Sequence, residues 1–351
     1  MLRRRSIRGI VLAGIIGMGT VFGSAAEARD LTVTGWGGSS TAAQEKAWYK
    51  PYTEKTGTTL LGATWSGGIG VLRTKVKGGN ADWDVVQVEV DELTLGCEEG
   101  LFEKLDWNKL GGREKFIPAA VHDCGVGNEV WTILFGYDGD RLKDGPKSWA
   151  DFWDVQKFPG KRGLRKTPKY VLEAALMADG VPPQDVYKVL AAPGGVDRAF
   201  KKLDEIKPHV VWWSSPSQVP ELVGSGELVM SMGTQGRFLA ANAQNKKNFR
   251  IVWNGNNYAV DFWVILKGSP NKEKAMDFIA YMSQPDVQAR LPNYIPLGVT
   301  NKAAGPLVDP AVRPLLPTAP ENIRNAVALD AQFWVENNDQ LTQRFNAWAA
   351  K

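Results

Sequence analysis

The sequence predicts an α/β protein, its strands paired mainly in parallel and its chain folded as two lobes, the second inserted into the first. Three observations lead there. Leu31-Thr-Val-Thr34 is a short strand that runs into Gly35-Trp-Gly-Gly-Ser-Ser40 and then into helical spacing from Ala42 to Thr56, the opening of an α/β unit. Strands and helices then alternate along the chain, with no internal repeat and no low-complexity tract. The chain leaves its first lobe near Tyr137 and returns near Asn254-Gly-Asn-Asn257, so two crossings form a hinge and the cleft between the lobes is the expected ligand site.

The remaining elements follow in order. Asp84 to Val90 is an apolar strand leading into a helix over Glu92 to Gly100, and a strand from Val130 ends at Tyr137 before the turn Asp138-Gly-Asp. Ser148 starts a helix, and Phe158-Pro-Gly-Lys161 is a break. Helical periodicity covers 168–178, 185–191 and 196–207, with short strands at Val210-Val-Trp-Trp213 and Leu228-Val-Met-Ser231. Phe249 to Trp253 and Tyr258 to Leu266 read as two further strands, followed by helices over 272–282 and 286–291 and a final one from Asn322 to the C-terminus.

The chain of 351 residues begins with Arg3, Arg4, Arg5 and Arg8, an apolar run from Gly9 to Phe22, and Ala26-Glu-Ala28. That layout predicts a secretory signal peptide over 1–28, cleaved near Ala28, because the apolar run is shorter than the roughly 20 residues a membrane span takes. Without that segment, 42 basic and 38 acidic residues become 38 and 37, a net charge of +1. Such a balance argues against nucleic acid or anionic membrane as a partner. Cys97 and Cys124 are the only cysteines and, after export, are expected to form one structural disulfide.

Catalytic machinery is not visible. His122 and His209 are the only histidines, neither adjoins a Gly-x-Ser-x-Gly elbow, and Walker or complete dinucleotide-loop motifs are missing. We therefore expect a binding protein, not an enzyme, with no cofactor and no metal. A secreted hydrolase with a tryptophan-lined groove is the alternative from another class. The chain is instead rich in tryptophan, 14 in all, several in glycine or serine loops: Trp36, Trp65 and the pair Trp212-Trp213 before Ser-Ser-Pro-Ser. At strand ends facing a crevice, indoles pack on alkyl chains or hold a cation. Asp261, set in the apolar strand 258–266, costs several kcal/mol to bury unless something pairs with it.

Ala275 to Gln288, with Ser-Gln-Pro-Asp286, and Asn293-Tyr-Ile-Pro-Leu-Gly298 resemble bacterial periplasmic solute-binding proteins of ABC importers, in particular the spermidine/putrescine-binding branch. So do Trp83-Asp-Val-Val86, Glu99 to Asp106 and Val223-Gly-Ser-Gly-Glu-Leu-Val229. The resemblance implies a two-lobed type II periplasmic binding protein fold: lobe 1 over 29–136 and 257–300, lobe 2 over 137–256, and a C-terminal helical segment over 301–351 packing across the lobes. It also implies a small-molecule ligand, delivery to an inner-membrane ABC permease, and a periplasmic monomer. A sensor that reads the closed form is the alternative partner.

In polyamine-binding members an indole, a late tyrosine and carboxylates hold the two amines. Trp36, Tyr294 and Asp261 match, and Glu89 is a second possible amine partner. At the far end the pattern departs, because Arg165-Lys-Thr-Pro-Lys-Tyr170 puts Thr167 and Tyr170 where acids are expected. Arg237 then begins a helix facing the cleft, suited to a carboxylate. The expectation is a small ω-amino acid such as γ-aminobutyrate, with its amine on Asp261 and its carboxylate on Arg237. Trp36, Trp213 and Tyr294 would cover its methylenes, and Ser66, Thr167, Ser215 and Gln235 would supply hydrogen bonds. A polyamine receptor using Glu89 and Asp91 is the alternative.

Overall fold

The computed structural model describes residues 29–78 and 82–351, so the signal-peptide expectation for 1–28 lies outside the described residues. Ten strands share one sheet: β1 (Leu31–Gly35), β2 (Leu60–Thr64), β3 (Val85–Glu89), β4 (Val121–His122), β5 (Gly125–Asp138), β6 (Arg162–Arg165), β7 (Val210–Trp213), β8 (Met230–Thr234), β9 (Phe249–Ile265) and β10 (Val327–Ala328). Their order is β2-β1-β3-β9-β5-β8-β6-β7, with β10 beside β9 and β4 beside β5. Pairing is parallel in the outer parts and antiparallel in the centre, where β9 joins β3 to β5 and β5 joins β8. β1 and β3 are buried along almost their whole length, as near-continuous apolar strands covered on both faces are.

Two apolar cores are strung on this sheet. The first gathers Leu31, Trp48, Val85, Phe102, Val130, Val260 and Trp263; the second gathers Ile133, Phe135, Trp149, Leu172, Phe238 and Val252. Both long strands, β5 and β9, feed both cores, and Trp131 packs against each. The cores separate between Val130 and Ile133 on β5 and between Val252 and Val260 on β9. Ile133 to Phe135 pack in the second core.

Elsewhere the structure corrects the element boundaries. The expected strands 249–253 and 258–266 are one strand, β9, since its asparagines bulge without breaking the ladder. Gly255 takes φ 73°, the register against β5 shifts between Ile133 and Phe135, and Asn256 Nδ2 donates to the Trp253 and Asn322 carbonyls at 2.7 and 2.8 Å. The expected final helix divides into Pro320–Ile323, β10 and the helix Ala331–Ala349, which Asp330 caps by accepting the Phe333 N–H at 3.0 Å. That last helix buries Phe333, Trp334, Leu341 and Phe345 in the second core and lies beside the helix Val90–Glu98 of the first.

Cys97, on the helix Val90–Glu98, is bonded to Cys124 at the approach to β5. The two sulfurs and a ring nitrogen of His122 lie within 4.8 Å of one another, but the joined thiols offer no thiolate to a metal. Among the described residues no helix is long and apolar enough to cross a membrane.

Candidate functional site

The site begins with a row of acids. Glu89 on β3 and Glu129 on β5 are both in register with Asp261 on β9, and directly opposed residues of neighbouring strands present their side chains on one face. Three carboxylates thus stand side by side where the two cores part, an arrangement that costs energy unless a cation or a proton intervenes.

Asp261 is 3% exposed. The indole N–H of Trp36, just past β1, donates to its Oδ2 at 2.5 Å, Trp131 Nε1 donates to Oδ1 at 2.7 Å, and Gln87 Nε2 donates to Oδ2 at 2.9 Å. Among the described residues no lysine or arginine forms an ion pair with it. Burial, then the charges of Glu129 and Glu89, push its carboxyl well above the ordinary aspartate range, with the two indoles pulling the other way. Glu129, buried on the next strand, accepts from Gln44 Nε2 at 3.0 Å and is pushed up to about 7, chiefly by burial. Glu89 goes the other way: burial would raise it, but Lys169 and Arg165 outweigh that and hold it low. Lys169 Nζ lies 2.9 Å from Glu89 Oε2 and 3.0 Å from Asp91 Oδ2.

A cavity of about 300 Å³ opens over this row, and its lining brings together Trp36, Trp131, Glu89, Glu129 and Asp261 with two arginines, Arg165 and Arg237. Arg165 ends β6 and Arg237 lies in the first turn of the helix Gln235–Asn245, both half-buried. Neither guanidinium pairs with a carboxylate among the described residues. Trp36 stacks on Trp65 at 5.3 Å between ring centroids, and Ile133, Ile295 and Leu297 add apolar wall. The lining thus combines a buried acid pair, Asp261 and Glu129, that no lysine or arginine of the described residues bridges, two guanidiniums without a carboxylate partner among those residues, of which Arg165 also acts on Glu89, and an aromatic and aliphatic wall.

Of the residues expected from sequence, Trp36, Ser66, Glu89, Gln235, Arg237 and Asp261 line this cavity. Gln235 does so while spending its amide on the Pro296 and Leu315 carbonyls, so it anchors a loop. Four others stand elsewhere. Trp213 is 2% exposed within the second core, because the alternation of β7 turns it inward. Tyr294 is 53% exposed with Lys46 Nζ 5.9 Å from its ring centroid, and the following Ile295 takes the wall. Ser215 is exposed and bonded to Ser217, leaving Pro216 at the cavity. Thr167 closes a turn through its N–H to the Arg165 carbonyl at 2.9 Å. Sequence reasoning missed Trp131, Glu129 and Arg165. Glu129 carried the same signal as Asp261, an acid inside an apolar strand.

Comparison with known proteins agrees with this architecture. Residues 47–318 match the model of a family described as bacterial extracellular solute-binding protein. The chain is 46% identical over 335 residues to a γ-aminobutyric acid-binding protein of Pseudomonas aeruginosa, covering 95% of each chain. It is 28% identical over 270 residues to a putrescine-binding periplasmic protein of another strain of that species, covering 69% of this chain and 72% of that protein. Among solved structures, a GABA receptor superposes with a TM-score of 0.82 at 35% identity, covering 92% of this chain and 98% of that one. The protein MotA of A. tumefaciens B6, in complex with glucopine, gives 0.83 at 30% identity, covering 92% and 100%. These relatives are substrate-binding proteins, not enzymes, and the fold is the two-lobed periplasmic one. The chain belongs to the bacterial extracellular solute-binding proteins.

Proposed function

We propose that this protein captures a small zwitterionic ω-amino acid such as γ-aminobutyrate between its two lobes and delivers it to an inner-membrane ABC permease. The observation that carries the reading is the cavity's lining of both signs: among the described residues Asp261 and Glu129 have no cation partner, and Arg165 and Arg237 form no ion pair with a carboxylate. The 46% identity to a γ-aminobutyric acid-binding protein supports the same ligand. In this reading the ligand ammonium takes the place of the proton on the Asp261–Glu129 pair, and Trp36 and Trp131 fix the Asp261 oxygens through their N–H groups. The methylenes lie along Trp36 and Leu297, and the carboxylate accepts from Arg165 and Arg237, whose forked donors suit it. Closure desolvates both charges together, so a ligand lacking either end leaves a buried group unpaired and loses about 2–5 kcal/mol.

The lobes hinge where β5 and β9 pass between the cores, export follows cleavage near Ala28, and the protein acts as a monomer. A polyamine reading is less well supported, because the acids it would need, Glu89 and Asp91, are already bridged by Lys169. Calorimetry with γ-aminobutyrate, n-butylamine, butyrate and putrescine tests the proposal. Tight binding of the amino acid with losses of about 30-fold or more for both single-ended analogues is expected. Tight putrescine binding with no response to γ-aminobutyrate would refute it.

A further inference from the structure

The acid row has a fourth member and a built-in cation. Asp91 lies in the first turn of the helix Val90–Glu98, two residues after Glu89, and its Oδ1 is buried without a partner. Glu89 and Asp91 belong to the first lobe, whereas Lys169 lies between β6 and the helix Val171–Ala178 of the second. Its side chain is 12% exposed, and its ammonium reaches across the cleft to both acids. Burial alone would favour loss of its proton, but the two carboxylates outweigh that and keep it charged.

The position of this ammonium is fixed from behind. Tyr170, the next residue, adopts φ 71°, a left-handed conformation that a bulky side chain takes only when its surroundings enforce it. Its ring is fully buried in the second core and meets Trp131 edge-on at 5.7 Å. Lys169 is therefore held against the acids by packing as well as by charge.

Without Lys169, two pairs of carboxylates, Asp261 with Glu129 and Glu89 with Asp91, would each be open to an ammonium ion, the second pair then balanced only by the more distant charge of Arg165. With it, one group is satisfied from within the chain and only one remains. We infer that Lys169 is a specificity-determining residue whose tethered ammonium occupies the second amine position and restricts the cleft to ligands with a single amine. The inference rests on the amino-acid reading given above. A diamine would have to expel Lys169 from its buried acids and leave it beside another cation, a repulsive element of the kind that specificity requires.

The test is calorimetry of Lys169→Gln, Lys169→Met and Lys169→Arg with putrescine and γ-aminobutyrate, after far-UV circular dichroism shows which variants fold. In the Gln and Met variants the putrescine dissociation constant should tighten at least about tenfold relative to the unaltered protein. Lys169→Arg, which keeps the charge, should retain the original preference. Adding Glu89→Gln and Asp91→Asn to Lys169→Met should remove the gain. An unchanged putrescine affinity in either folded neutral variant overturns the inference, as does an unaltered protein that already binds putrescine as tightly as those variants. The two readings fail separately: unaltered protein that ignores γ-aminobutyrate, beside variants that gain putrescine, refutes the amino-acid ligand and leaves the role of Lys169 standing.

Discussion

Replacing Asp261 by Asn should weaken binding and strengthen the empty fold at once. The carboxylate is 3% exposed, stands in register with Glu89 and Glu129, and has its proton affinity raised by burial and by those two acids. An acid whose folded pKa lies above its unfolded value stabilises the fold fully only below the unfolded pKa, and that stability is lost as pH rises through the folded one. For Glu129 the window runs from the ordinary glutamate value of 4.5 to about 7, worth about 3 kcal/mol; Asp261 acts in the same direction. The ligand-free protein should therefore melt at progressively lower temperature between pH 4.5 and 7. Asp261→Asn removes one ionisable member, so its profile should be flatter and its melting temperature at pH 7.5 higher. The same change deprives the ligand amine of its charge partner, which costs about 2–5 kcal/mol, or roughly 30-fold to several-thousand-fold in Kd. Differential scanning calorimetry of the empty protein and titration with γ-aminobutyrate read both effects. A variant that melts lower at pH 7.5, or binds within threefold of the original, would show that Asp261 is a structural group and refute the reasoning.

Three further outcomes follow. Affinity for γ-aminobutyrate should fall by up to about tenfold per pH unit as the acids protonate below pH 7, because the ligand amine remains charged while the Asp261–Glu129 pair gains protons; titrations from pH 5.5 to 8 check it. Arg165→Gln and Arg237→Gln should each weaken γ-aminobutyrate by about 2 kcal/mol or more while changing n-butylamine affinity little, a difference that competition titrations resolve. Cys97→Ser with Cys124→Ser should lower unfolding free energy by about 3–4 kcal/mol in urea denaturation, since the bond closes a loop over a sequence separation of 27, and should leave ligand affinity unaltered.

How much of this was readable beforehand depends on the type of interaction. Asp261 stood out because a charge in an apolar strand needs a reason, and the structure places Trp36 on it, two residues 225 positions apart. Glu129 obeys the same rule, but Gly125, Gly127 and Asn128 before it break the apolar run that would mark it. Side-chain direction was harder. Nothing local in Val210-Val-Trp-Trp213 says which indole turns inward; packing against Phe345 and Trp348 claims Trp212 and leaves Trp213 to the core. Tyr294 was misplaced because the short 3-10 turn Leu291–Asn293 sets the chain's direction, and that aims Ile295 at the cavity. Lys169 could not be assigned from spacing at all, since its partners lie 78 and 80 residues away in the other lobe.

In the proposed binding mode, the two long strands that serve both cores would also set the order in which a solute is gripped. Asp261, Glu129 and Trp131 lie on β5 and β9 where the cores part, with register shifts against the partner strand on either side, at 127–129 and 133–135. On the hinge proposed above, a swing about this axle would leave the acid receptacle nearly in place while Arg237, on the helix Gln235–Asn245 that packs in the second core, would travel further. In that mode an arriving amino acid would dock amine first, and Arg237 would fold down on its carboxylate. Loss of Arg237 should thus shorten residence time more than it slows capture.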